Sequence, residues 1–206
     1  MSLFITFEGG EGSGKSSVMK EVAKKLEADG YQIVETREPG GTPIAEEIRN
    51  VILDKKNTDM DAKTEALLYA ASRRQHLVEK VWPALKEGKL VLSDRFLDSS
   101  LAYQGVARGL GVENVLEINL FATEGKYPDL TLFFDIEPEV GLARIAASKN
   151  REVNRLDLEE LNFHHMVRKA FLDLSKRYKD RYVKIDASKS FEEVVIDAYN
   201  AIKNRL

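Results

Sequence analysis

Gly9-Gly10-Glu11-Gly12-Ser13-Gly14-Lys15-Ser16 sets how the rest of the chain is read. It has the spacing G-x-x-x-x-G-K-[ST], follows an apolar run at residues 3–7, and leads into Val18, Val22 and Leu26, whose spacing predicts a helix starting near Lys15. A strand, a glycine-rich turn and a helix N-terminus in that order form a cradle for phosphate. Backbone N–H groups wrap the anion, the helix start adds partial positive charge, Lys15 reaches β- and γ-phosphate oxygens, and the Ser16 hydroxyl suits Mg2+. A glycine-rich turn with a chance Lys-Ser pair would need neither the strand before it nor the helix after it.

Apolar runs recur at residues 33–36, 90–92, 130–135 and 182–185, bounded by turn residues and short enough for buried strands. Helical spacing fills the intervals: Leu67, Ala70, Leu77 and Val81; then Phe163, Val167, Ala170, Leu174 and Tyr178; then Phe191, Val194, Ala198 and Ile202. Strands alternating with helices predict an α/β fold with a central parallel sheet of about five strands and helices on both faces, since parallel neighbours need crossover connections. Ligands then gather at the C-terminal ends of the strands. No repeat or linker composition divides residues 1–206, so the expectation is a single domain. The turn at residues 38–41 and the polar stretch at residues 148–154 read as mobile.

The 206 residues hold 31 Lys+Arg against 34 Asp+Glu, no cysteine, and 43% hydrophobic residues. That balance gives no general attraction to nucleic acid or to an anionic membrane, so an anionic ligand must meet locally gathered cations. Cysteine nucleophiles, disulfides and cysteine-based zinc sites are excluded. Nothing resembles a signal peptide or an apolar stretch of the roughly 18 residues a membrane span needs, so a cytoplasmic location is expected. The three histidines, His76, His164 and His165, lack spacing for a metal site and read as structural or surface residues.

The phosphate loop alone does not choose among a GTPase switch, a motor and a small-molecule kinase. No Asn-Lys-x-Asp guanine reader occurs, and the length leaves no room for a motor's accessory elements. More specific is Leu90-Val-Leu-Ser-Asp94-Arg95, a buried strand ending in a carboxylate and a guanidinium. Asp94 there can hold Mg2+ beside Lys15 and Ser16, or cap the next helix. Arg95 offers a planar donor fork to a phosphate, or is a solvated surface residue.

Arg95-Phe-Leu-Asp-Ser-Ser100-Leu-Ala-Tyr103-Gln104 resembles the signature of the bacterial thymidylate kinase family. The stretches at residues 36–42 (Thr-Arg-Glu-Pro-Gly-Gly-Thr), 65–74 (Glu-Ala-Leu-Leu-Tyr-Ala-Ala-Ser-Arg-Arg) and 127–131 (Tyr-Pro-Asp-Leu-Thr) are similar to the family in the expected order, so the likeness covers essentially the whole chain. It implies a P-loop kinase fold with a short lid around residues 144–157, the transfer ATP + dTMP → ADP + dTDP with Mg2+, and a homodimer.

The resemblance also implies residue roles. Gly9, Gly10, Glu11, Gly12, Ser13, Gly14, Lys15, Ser16 and Ser17 would bind the triphosphate, with Arg144 towards adenine; Ser16 and Asp94 would hold the metal. Tyr69 would stack on thymine while Arg73 and Gln104 read its edge. Tyr103 would lie against the sugar 2′ carbon, Glu11 near its 3′-hydroxyl, and Arg49 and Arg95 on the acceptor phosphate, with Glu38 and Ser100 nearby. Without the family, Tyr69 and Arg73, four apart on one helix face, read as a core tyrosine and a surface arginine, Arg49 as a solvated helix residue, and Arg37 and Glu38 as parts of a turn. The loop has no arginine at its variable positions, and relatives of that type carry the catalytic arginine in the lid. Arg155 is the first candidate and Arg151 the second, although Asn154 and Asp157 depart from the family's lid pattern. A kinase for another nucleotide or nucleoside on the same scaffold, or a non-catalytic nucleotide-dependent switch, are the competing readings.

Overall fold

The computed structural model describes residues 2–147 and 155–206. Its sheet contains β1 (Phe4–Glu8), β2 (Ile33–Arg37), β3 (Leu90–Asp94), β4 (Leu130–Asp135) and β5 (Tyr182–Asp186), all parallel, in the order β2-β3-β1-β4-β5. All five apolar runs are strands, as the sequence predicts. Four of them extend one or two residues beyond the apolar stretch, to Glu8, Arg37, Asp94 and Asp186. A reading that stops at the first polar residue misses Glu8, Arg37 and Asp186, whereas the end of β3 at Asp94 is legible in Leu90-Val-Leu-Ser-Asp94-Arg95; Arg37 and Asp94 line a cavity at this edge of the sheet.

From β1 the chain builds outward to β3 and β2 on one side and later to β4 and β5 on the other. The crossovers diverge there, opening a crevice at the C-terminal end of β1. The loop after β1 leads into α1 (Lys15–Ala28). Then come α2 (Pro43–Leu53) and α3 (Ala62–His76), which runs through a π-helical turn, Leu77–Val81, into α4 (Trp82–Lys86). After β3, α5 (Leu97–Ser100) continues as a second π-helical turn, Leu101–Ala107, followed by α6 (Val112–Thr123). The remainder is α7 (Pro138–Ala147), a 3-10 turn (Arg155–Leu158), α8 (Leu161–Arg177) and α9 (Phe191–Lys203). No helix among the described residues is long and apolar enough to cross a membrane.

Strand alternation divides the core into two layers. Ile5, Phe7, Leu92, Leu132 and Phe134 pack with Val18, Val22 and Leu26 of α1 and Val194, Ala198 and Ile202 of α9. Phe4, Val91 and Phe133 face the other way, against Phe96, Leu101, Val115, Val167 and Phe171. Burying each layer accounts for the hydrophobic driving force of folding.

Two expectations need correcting. Leu67 does not share a buried face with Leu77 and Val81: it is 56% exposed, and α3 instead buries Glu65, Tyr69, Ser72, Arg73 and His76. The inner face of this helix lines a polar site, so the residues facing inward are polar or charged and Leu67 is left on the outer face. The turn at residues 38–41 is also not loose. Gly40 N–H donates to Ser72 Oγ at 3.1 Å, Gly41 N–H donates to Glu46 Oε1 at 2.8 Å, and Glu38 is buried. The segment 148–154 lies outside the described residues.

The loop after β1 is clamped from above by α7. A Cβ on Gly141 would sit 2.2 Å from the Glu11 carbonyl oxygen, and one on Gly12, at φ +70°, would sit 2.0 Å from the Gly141 carbonyl oxygen. Gly141→Ala is therefore expected to force helix and loop apart, costing about 1–3 kcal/mol by overpacking and lowering ATP affinity. Urea unfolding and ATP titration check this; an unchanged midpoint with unchanged ATP binding contradicts the clamp.

Candidate active site

Residues 11–17 of the loop line a cavity of about 1060 Å3 at the C-terminal edge of the sheet, together with Arg37, Glu38, Arg49, Tyr69, Arg73, Asp94, Arg95, Ser100, Tyr103, Gln104 and Arg144. Gly9 and Gly10 contribute carbonyls instead: Gly10 accepts from Lys15 Nζ at 3.5 Å and Gly9 from Arg95 Nη1 at 2.9 Å. Gly14 holds φ +82° as α1 begins, which turns the first helical N–H groups toward the cavity mouth.

Ser16 Oγ donates to Asp94 Oδ2, closing the gap between the start of α1 and the end of β3. The residue preceding α5 is Phe96, so Asp94 does not cap that helix. A hydroxyl and a carboxylate in direct contact beside Lys15 are a hard-oxygen donor set, and they fit Mg2+.

Arg95 joins the two halves of the site. Its backbone adopts φ +73°, a left-handed conformation that a non-glycine side chain rarely takes, with its N–H donating to Phe7 O at 3.0 Å. Nη2 donates to Glu11 Oε1 at 2.6 Å, Nη1 also reaches Ser99 Oγ at 3.2 Å, and the guanidinium lies over the Tyr103 ring at 5.2 Å. The Tyr103 hydroxyl donates to the same Glu11 oxygen at 3.2 Å. Arg49, anchored by donation to Pro39 O at 3.0 Å, has its pKa depressed by burial and by the neighbouring charges of Arg37 and Arg95. Burial and the Arg95 charge depress Lys15 likewise. Cations that destabilise one another gain from an anion placed among them.

At the far end of the cavity, Tyr69 is buried on α3, one turn from Arg73. Arg73 Nε donates to Glu38 Oε2 at 2.7 Å, Nη1 donates to Ser100 Oγ at 3.1 Å and to Asn119 Oδ1, and the guanidinium lies over Phe96. Glu38 is bonded in turn to His76 Nδ1 at 2.9 Å, and His76 Nε2 to Thr36 Oγ1 at 2.6 Å. Glu38 thus supports Arg73 from beneath. Gln104 Nε2 donates to Glu65 Oε1 at 2.7 Å.

The structure seats Arg144 beside the exit of β5, where both terminal nitrogens donate to Ala187 O at 3.1 and 3.2 Å. Arg151 lies outside the described residues. Arg155 does not lie over the phosphate loop: its Nε donates to Ile52 O at 3.0 Å and its Nη2 to Glu65 Oε2, so it is drawn to the buried carboxylate at the base end of the cavity.

Reading the sequence passed over four buried residues of this site: Glu8, Glu65, His76 as a partner of Glu38, and Asn119. Glu65 had a signal, since it lies four residues before Tyr69 and eight before Arg73 on the same face of α3. Glu8 looks like the polar end of an apolar strand. It is fully buried, accepts from Phe96 N–H at 2.7 Å and from Ser99 Oγ at 2.5 Å, and so grips the backbone just after Arg95 and the hydroxyl touching its guanidinium.

The thymidylate kinase sequence family matches residues 7–198. A thymidylate kinase of Halalkalibacterium halodurans is 58% identical over 203 residues, covering 98% of this chain and 97% of that protein. One of Bacillus velezensis is 59% identical over 204 residues, covering 99% and 96%. Among solved structures, the crystal structure of thymidylate kinase from Ehrlichia chaffeensis superposes with a TM-score of 0.78 at 31% identity, covering 98% of each chain.

Burial, reinforced by Asp98, pushes the Glu8 carboxyl from 4.5 up to about 8. The folded state therefore holds a proton that the unfolded chain has released. The associated stability is complete below about pH 4.5 and is lost as pH rises through about 8. Glu8→Gln, which stays neutral, should flatten this dependence, so that its stability relative to wild type rises between pH 5 and pH 9 by on the order of a few kcal/mol. Urea midpoints at the two pH values measure it; parallel changes in both proteins contradict the assignment.

Proposed function

The chain belongs to the thymidylate kinase family, and from that premise we propose how its own residues carry the reaction. The protein transfers the γ-phosphoryl group of ATP to dTMP, giving ADP and dTDP. An oxygen of the acceptor phosphate forms the new bond to the γ-phosphorus while the bond from that phosphorus to the bridging oxygen of ADP breaks. The acceptor phosphate is already a nucleophile, so the protein's task is in-line positioning and charge neutralisation.

The observation that carries the assignment of roles is the position of Arg95, bonded to Gly9 and Glu11 of the phosphate loop yet close enough to Arg49 to lower its pKa. Lys15 and the loop N–H groups hold the donor phosphates, and Arg49 and Arg95 hold the acceptor phosphate with Arg37 at the rim. Glu11 fixes Arg95 and Tyr103 together, setting the sugar against the ring of Tyr103. Tyr69 stacks on the base, Arg73 and Gln104 read its edge with Ser100 bracing Arg73, and Arg144 borders the adenine side. Mg2+ bound by Ser16 and Asp94 would supply neutralisation of charge on the phosphates. The seat of Arg155 on Glu65 gives it a different role, tying the 3-10 turn Arg155–Leu158 to the acceptor end.

A cytoplasmic location suits an enzyme of nucleotide substrates without a membrane-crossing helix among its described residues. A homodimer is supported by two large apolar side chains left in water on the adjacent helices α6 and α3, Phe121 at 90% and Leu67 at 56% exposure.

Lys15→Ala and Arg95→Ala should each lower kcat/KM by about 2–4 kcal/mol of transition-state stabilisation. Steady-state kinetics test this, and near-normal values in both variants overturn the roles. Arg155→Ala should raise the KM for dTMP more than that for ATP; a fall in kcat alone would return Arg155 to the transferring phosphate. In sedimentation at micromolar concentration, Phe121→Asp should shift the protein from dimer to monomer; a variant that remains dimeric places the interface elsewhere.

A further inference from the structure

Glu65 is an ionised carboxylate inside the protein whose part in the site goes beyond seating Arg155. It is 1% exposed and takes hydrogen bonds from three side chains: Gln104 Nε2 at 2.7 Å, Arg155 Nη2, and Arg108 through Nε at 3.3 Å and Nη2 at 3.4 Å. Arg108 also bonds Glu159 at 2.6 Å. Burial opposes the charge on Glu65, but Gln104, Arg155 and Arg108 outweigh it and hold the carboxyl below its usual pKa. An ionised carboxylate only accepts hydrogen bonds.

That has a consequence for Gln104. A side-chain amide has a donating end and an accepting end, and half a turn about its last bond exchanges them. Facing Glu65, only the nitrogen end makes a bond, whereas the oxygen end would meet the carboxylate as one acceptor against another. One N–H is spent on Glu65, leaving Oε1 and the second N–H to a ligand. This pattern matches N3–H and the 4-oxo group of thymine or uracil. It opposes cytosine, whose N3 accepts and whose 4-amino group donates.

We propose that Glu65 fixes the amide orientation of Gln104 and thereby makes the acceptor pocket select pyrimidines with N3–H and a 4-oxo group over those with a bare N3 and a 4-amino group. The proposal rests on the reading that Gln104 faces the base. Arg73, which can only donate, favours the same 4-oxo group from its own position. Glu65 is thus a positioning residue for specificity, and through Arg155 and the Arg108–Glu159 pair the same carboxylate holds the 3-10 turn Arg155–Leu158 and Glu159 beside it. Sites that match a hydrogen-bonding pattern reject the wrong pattern strongly, because mismatch leaves buried polar groups unpaired.

The test compares initial rates with dTMP and dCMP, at saturating ATP and Mg2+, for wild type and Glu65→Gln. Glutamine at this position can donate as well as accept, which frees Gln104 to present either end. The kcat/KM ratio of dTMP to dCMP should fall at least tenfold, with the KM for ATP within twofold of wild type. An unchanged ratio, whether both rates drop in parallel or neither changes, overturns the proposal. Should Glu65→Gln fail to fold, Glu65→Asp keeps the negative charge in the pocket wall while its shorter side chain draws the carboxylate back from Gln104, and carries the same expectation. Gln104→Ala separates the two layers of the argument. An unchanged KM for dTMP in that variant removes Gln104 from the base and the underlying reading with it, whereas a raised KM with an unchanged acceptor ratio in the Glu65 variant overturns the orientation alone.

Discussion

The rest of the site depends on one residue held where it would not choose to be. Arg95 leaves β3 at φ +73°, so that its backbone N–H still reaches Phe7 on β1 while its guanidinium turns back to Gly9 and Glu11 of the phosphate loop. A left-handed conformation in a non-glycine residue costs roughly 1–2 kcal/mol, which the surroundings must offset. Glu8 takes the next N–H along the chain, Ser99 and Glu11 take the guanidinium, and the Tyr103 ring covers it. Donor loop and acceptor pocket are thereby built around a shared cation, the arrangement that moving a phosphoryl group between two anions requires.

The same economy recurs below the pocket. Buried acidic side chains do not touch the expected ligand positions so much as hold the groups that do: Glu8, in its protonated form, steadies the Arg95 turn, Glu38 steadies Arg73, and Glu65 steadies Gln104 and Arg155. Donors fixed before a ligand arrives lose little entropy when it binds. The overall balance of 31 cations against 34 acidic groups conceals this, because the acids that offset the site's arginines lie beneath them.

Much of the fold was legible in the sequence. Short apolar runs predict all five strands, and the spacing around Lys15, Asp94 and Arg95 places the phosphate loop and the Ser16–Asp94 pair at neighbouring strand ends. Three things were not legible, for physical reasons. The end of β1 at Glu8 is polar because it serves the site, so an apolar criterion stops short of it. The inner face of α3 carries Glu65, Arg73 and His76 where a core helix would carry leucines, so apolar spacing picks out the exposed Leu67 instead of the buried face. The seat of Arg155 depends on a carboxylate 90 residues earlier in the chain. Local pattern contains no trace of that pairing, whereas family likeness suggested a lid residue over the triphosphate.

The central claim is that Arg49 and Arg95, with Arg37 at the rim, are gathered to receive a phosphate the acceptor already carries. Initial rates with dTMP and with thymidine as alternative acceptors, at saturating ATP and Mg2+, test it most directly. The account predicts rapid turnover of dTMP and none of thymidine above background. Phosphorylation of thymidine at a comparable rate would contradict it, because the arginines would then have no acceptor phosphate to hold.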